Sequence, residues 1–175
     1  MSPEEDTSAL DDAKRVAERE AETYRGGSDQ PVAGYALTAG GYLVLAAVGL
    51  VAAKRTGRSA EVAAVGPWDL ALMGLTTHKL SRMLAKDPVT SPLRVPFTRF
   101  QGVAGPAELD EDVRDGSRKT IGELISCPFC LAQWVATGYA FGLVFAPRFT
   151  RGVGGVFSAV AVSDWLQLAY GRLQG

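Results

Sequence analysis

Two stretches of this chain carry no charge at all, residues 31–53 and residues 124–147. Runs of 23 and 24 residues each exceed the roughly 20 that a helix needs to cross the hydrocarbon core of a bilayer. A soluble core helix of that length normally keeps one polar face, and neither run has a charged one. The chain is therefore expected to be an integral membrane protein. Its mean hydropathy of +0.07 hides this segregation, because residues 1–30 hold nine acids and four bases. A formal net charge of -1 lacks the basic footprint of a nucleic-acid binder, so no nucleic-acid partner is expected. The first apolar run follows an acidic tail and is too long for the core of a secretory leader, so it is expected to remain as an anchor.

The predicted fold is all-α, with about four transmembrane helices, a polar N-terminal tail and one long polar loop. Residues 1–30 form the tail, with a thin apolar stripe over Ser8–Tyr24 that suits a marginal surface helix or disorder. Residues 31–175 form the membrane domain, with spans near 31–53, 67–85, 127–145 and 152–170. Gly34-x-x-x-Thr38 and Gly138-x-x-x-Gly142 offer small faces for helix packing. The second span opens on Gly66-Pro67, with Pro67 suited to a first helical turn and Asp69 complementing the helix dipole. The loop, residues 87–119, contains Pro88, Pro92 and Pro96, which forbid a continuous helix. Within it Arg94, Phe97, Arg99 and Phe100 interleave bases with aromatics, a pattern suited to lipid headgroups. Thr120-x-x-Glu123 reads as a capping box, so a helix is expected to start at Thr120.

An even number of spans puts both termini on one side. The terminal side then carries 13 bases and the opposite side 5, which places both termini in the cytoplasm of a multi-pass cell-membrane protein.

Three features carry chemistry. Cys127 and Cys130 form a C-x-x-C pair at the start of the third span. Donors at a helix N-terminus favour a thiolate, so the readings are a redox dithiol, two ligands of a zinc site completed by His78 and a carboxylate, or a pair of inert buried thiols. Three residues apart inside one helix, a disulfide between them is expected to be strained. The inert reading is preferred, since the βαβ context of a redox C-x-x-C is absent, and no cofactor is expected. Asp164 lies inside the fourth span with Gln167 on its face, and an ionisable group there requires a partner. Arg82, Lys79 and His78 are the nominal partners, and Asp69 completes the intramembrane polar cluster. His78, the only histidine, is read as a polar member of a helix contact.

Four blocks are taken together: Thr77-His78-Lys79-Leu80-Ser81-Arg82; Lys86-Asp87-Pro88-Val89-Thr90-Ser91 through Pro96-Phe97-Thr98-Arg99; Gly122-Glu123-Leu124 with Cys127-Pro128-Phe129-Cys130; and Ser163-Asp164 with Leu166-Gln167. Together they resemble the domain of unknown function 1360 family, small bacterial integral membrane proteins that include a sporulation-associated member. The resemblance covers roughly residues 65 to 171 and implies a membrane location, without naming a catalytic residue. The expected function is a non-enzymatic envelope scaffold or interaction protein, with the bilayer, a second copy or an envelope protein as partners. A membrane thiol-redox or metal-binding protein is the alternative, and a small oligomeric channel or transporter the third reading.

Overall fold

The computed structural model describes residues 3–58, 60–61 and 64–174. In chain order the elements are α1 (Pro3–Arg25), α2 (Val32–Arg55), α3 (Pro67–Lys86), a 3-10 turn (Pro88–Thr90), α4 (Ser91–Arg94), β1 (Thr98–Gly105), β2 (Glu108–Val113), α5 (Lys119–Ser126), α6 (Pro128–Phe145) and α7 (Pro147–Gln174). The chain is thus mostly helical. Among the described residues three helices, α2, α6 and α7, are long and apolar enough to cross a membrane. Helix α3 has 20 residues but carries Asp69, Lys79, Arg82 and Lys86, and it is not among the three.

The chain divides into two units, Met1–Gly41 and Tyr42–Gly175. The first holds α1 and the opening turns of α2. Helix α1 exceeds the Ser8–Tyr24 stripe at both ends, and its side chains from Leu10 onward are almost all exposed. At the joint, Arg25 Nε donates to the Gln30 carbonyl at 3.1 Å and Tyr35 donates to Gln30 Oε1 at 2.8 Å. Thr38 Oγ1 donates to the Gly34 carbonyl of its own helix at 2.9 Å.

In the second unit α3 is the central helix, packed against both α6 and α7. Leu72, Tyr139 and Leu143 form the buried cluster, with Val65 and Met73 against it. Helix α7 buries Thr150, Gly154, Ser158 and Ala161. Their spacing of four, four and three puts these small residues on one face, which brings the α3 and α7 backbones close. Thr76, fully buried, donates from Oγ1 to the Gly154 carbonyl at 3.1 Å, and Ser158 Oγ donates to the Leu72 carbonyl at 3.3 Å. Gly154 is required here, because the Tyr139 hydroxyl occupies the space a Cβ would take. Of the Gly138-x-x-x-Gly142 pair only Gly142 is used, against Thr150; Gly138 has no close neighbour. The part of α2 in this unit touches α6 through Tyr42, which shares a 2.8 Å hydrogen bond with Thr137 and sets its ring edge-on to Trp134 at 5.4 Å. Beyond the α2 C-terminus Arg58 Nη1 donates to the carbonyls of Val144 and Phe145, at 3.1 and 2.6 Å, satisfying acceptors that the end of α6 leaves open.

The segment 87–119 differs from the expected polar loop, and the fold is not all-α. The prolines interrupt the helix as expected, but the chain then forms an antiparallel hairpin with Thr98 opposite Val113 and Arg99 opposite Asp112. Register shifts fall between Phe100 and Gly102 and between Val103 and Gly105. The turn is Pro106-Ala107, and Ala107 has φ 58. Proline presets the first turn position, but the second favours glycine when φ is positive. Neither the alanine there nor the acid-rich β2, ELDEDV, signals a hairpin, since Asp and Glu are depleted in strands. Helix α5 begins one residue before the expected Thr120, with Arg118 at its N-cap and no side-chain cap.

The left-handed conformation of Ala107 generates the first prediction. Ala107→Gly removes the Cβ penalty at that turn, offset in part by greater freedom of the unfolded chain. Denaturant unfolding in a fixed detergent should show a gain of about 0.5–1 kcal/mol; a loss of stability contradicts the turn.

Candidate functional site

A groove of about 860 Å³ opens between the C-terminal half of α3, the β1–β2 turn and the second half of α7. Helix periodicity builds one wall. Lys79 and Arg82, three residues apart on α3, share a face and meet acids from elsewhere. Lys79 Nζ lies 2.9 Å from Asp164 Oδ2 on α7 and 3.6 Å from Asp87 Oδ2 just past the α3 C-terminus. Arg82 Nε donates to Glu108 Oε1 at 2.9 Å, and Arg82 Nη2 pairs with the same oxygen. Trp165 Nε1 donates to His78 Nε2 at 3.4 Å, with ring centroids 5.3 Å apart. That bond makes Nε2 an acceptor and fixes the imidazole as a polar member of the α3–α7 contact. Gln167 lines the groove and donates to Ser163 Oγ within its own helix at 3.3 Å.

Asp69 does not join this cluster. It sits ten residues before Lys79, roughly 15 Å away along the helix, at the other end of α3. There Arg151 grips it with both nitrogens, Nε to Oδ1 at 2.7 Å and Nη2 to Oδ2 at 2.9 Å, and the Gly66 N–H adds a third bond at 3.3 Å. The expected cluster is therefore two separate pairings on α3, one near each end.

The expected headgroup group also comes apart. Arg99 and Phe100 are exposed and Phe97 is half-buried, but Arg94 is fully buried. Its Nε donates to Glu111 Oε2 at 2.6 Å, Nη1 to the Leu84 carbonyl at 2.7 Å and to Thr90 Oγ1 at 2.9 Å, and Nη2 to the Asp87 carbonyl at 3.1 Å. Such a guanidinium, enclosed by acceptors from three directions, is a structural cap of α3 and not a lipid contact.

The two cysteines stand where α5 ends and α6 begins. Cys127 has φ -101 and ψ 108 and serves as the α6 N-cap, with Pro128 at the first helical position, where no N–H is needed. Cys127 Sγ accepts from the Cys130 N–H at 3.2 Å and from the Cys130 thiol at 2.7 Å. Cys130 is exposed and Cys127 half-buried, with the Phe129 side chain between them 87% exposed. Among the described residues no three His, Cys, Asp or Glu side chains converge as a metal-binding group. His78 is engaged by Trp165.

A family model of proteins of unknown function, DUF1360, matches residues 72–170. The chain belongs to the DUF1360 family. The DUF1360 region takes in the groove's ion pairs, the hairpin and both cysteines, and leaves α1, α2 and Asp69 outside. No curated protein and no solved structure matches. Sequence reasoning missed Asp87, Glu108 and Trp165 as groove residues. Asp87 follows Lys79 by eight residues within a block already noticed, but Glu108 reaches Arg82 only through the hairpin, for which the sequence holds no clear sign.

Proposed function

We propose that this DUF1360 protein is a non-enzymatic scaffold of the cell membrane, in which α2, α3, α6 and α7 cross the bilayer and the hairpin and groove form its polar cap. One observation carries this reading: the charges of α3 and α7 are tied to each other at two levels, Asp69 with Arg151 and Lys79 with Asp164. The ten residues between Asp69 and Lys79 span roughly 15 Å and the thirteen between Arg151 and Asp164 roughly 20 Å. Both are less than the roughly 30 Å of hydrocarbon, so at least one pair lies at hydrocarbon depth, where an unpaired charge is unfavourable by a few kcal/mol or more. Between the levels, buried Thr76, Ser158 and Ala161 close the α3–α7 interface. Such an interior suits a packed scaffold better than an ion pathway. The open groove, with its charged rim, is the surface left for an envelope partner or a second copy.

Two measurements test this. In reconstituted vesicles carrying a pH dye, an imposed gradient should decay at the rate of protein-free vesicles, with or without Asp164→Asn. Faster decay that Asp164→Asn abolishes refutes the scaffold reading. The base count of 13 against 5 supports an orientation with both termini and the hairpin cytoplasmic. Asp110→Cys in a background with Cys127→Ser and Cys130→Ser should resist an impermeant maleimide on intact cells and label after lysis. Rapid labelling from outside inverts the orientation.

A further inference from the structure

The C-x-x-C pair is not absorbed by a scaffold role. We propose that Cys127 and Cys130 are an exchange-active dithiol that reduces an exposed disulfide on a second molecule. Three observations converge. Cys130 is exposed and Cys127 half-buried at the N-terminal end of α6. The sulfurs are 2.7 Å apart, close to the roughly 2.05 Å of a disulfide bond. Cys127 is extended, not helical, so the helical constraint that disfavours a bridge between residues three apart is absent at its first member.

The two thiols are not equivalent. Both hydrogen bonds in the pair run toward Cys127 Sγ, one from the Cys130 amide and one from the Cys130 thiol. Two donors on one sulfur stabilise charge on it, which assigns Cys127 as the attacking thiol and Cys130 as the resolving one. Phe129, projecting between them and 87% exposed, offers an apolar contact to residues flanking the incoming disulfide.

The chemistry balances without any other reactant. Cys127 Sγ loses its proton and attacks one sulfur of R–S–S–R; a Cys127–S–R bond forms and RS⁻ leaves. Cys130 Sγ then loses its proton and attacks Cys127 Sγ; the Cys127–Cys130 bond forms and the second RS⁻ leaves. The two thiolates take up the two protons. Two electrons pass from the protein dithiol, which is oxidised, to the partner disulfide, which is reduced.

The test uses the full chain in detergent, reduced and freed of reductant, with oxidised glutathione as the probe disulfide. After acid quench, intact mass should show loss of two hydrogens and no retained glutathione. Cys130→Ser should instead hold one glutathione on Cys127, because nothing resolves the mixed disulfide. Cys127→Ser should react slower by on the order of tenfold, since exchange rate follows the thiolate available to attack. Wild-type protein that stays reduced, or that carries glutathione on both cysteines, overturns the proposal, and this readout needs no variant to fold. Equal rates for the two single variants overturn the assignment of roles.

Discussion

The guanidinium of Arg94 is the joint that ties the polar cap to the helices. It reaches back to the Leu84 carbonyl, which the C-terminal end of α3 leaves open, and to the Asp87 carbonyl just beyond it, and forward to Glu111 on β2. Three elements, α3, α4 and β2, are thereby fixed around one charge. The pair is almost entirely out of water, with Arg94 at 1% and Glu111 at 5% side-chain exposure. Removing one partner from such a pair leaves a buried charge uncompensated, an effect of about 3–5 kcal/mol, whereas apolar replacement of both is often tolerated. Arg94 therefore contributes to position more than to net stability. It places the β1–β2 turn, and with it Glu108, against Arg82, which forms one side of the groove.

The same logic holds at the other levels of α3. Asp69 with Arg151 and Lys79 with Asp164 are pairings between helices far apart in sequence. Small residues on α7 allow the close approach that the pairings need, and Thr76 and Ser158 satisfy each other's backbone surroundings between them. Polar chemistry thus sits inside an apolar bundle without leaving unbalanced charge there, and the dithiol at the α5–α6 break stays outside this network.

Much of the helical frame was legible in the chain. Uncharged runs located α2 and α6, Gly66-Pro67 marked the start of α3, and the four motif blocks pointed to the family that residues 72–170 match. Less of the site was legible, for physical reasons. An arginine beside aromatics reads the same whether it meets lipid or is enclosed by carbonyls, so the burial of Arg94 had no sequence signal. Asp164 was expected to need one of three bases, and Lys79 lies 2.9 Å from it, but a base on a helix face does not specify which acid the fold will bring to it. The hairpin was hidden by the acids of β2 and by an alanine where a glycine would be expected.

A double-mutant cycle at Arg94 and Glu111 tests the central claim most directly. Unfolding free energies in one detergent should show a loss of about 3–5 kcal/mol for Arg94→Met or Glu111→Leu alone, and no greater loss for the two together. Additive losses, or single-variant losses below about 1 kcal/mol, the range of exposed ion pairs, would contradict the account.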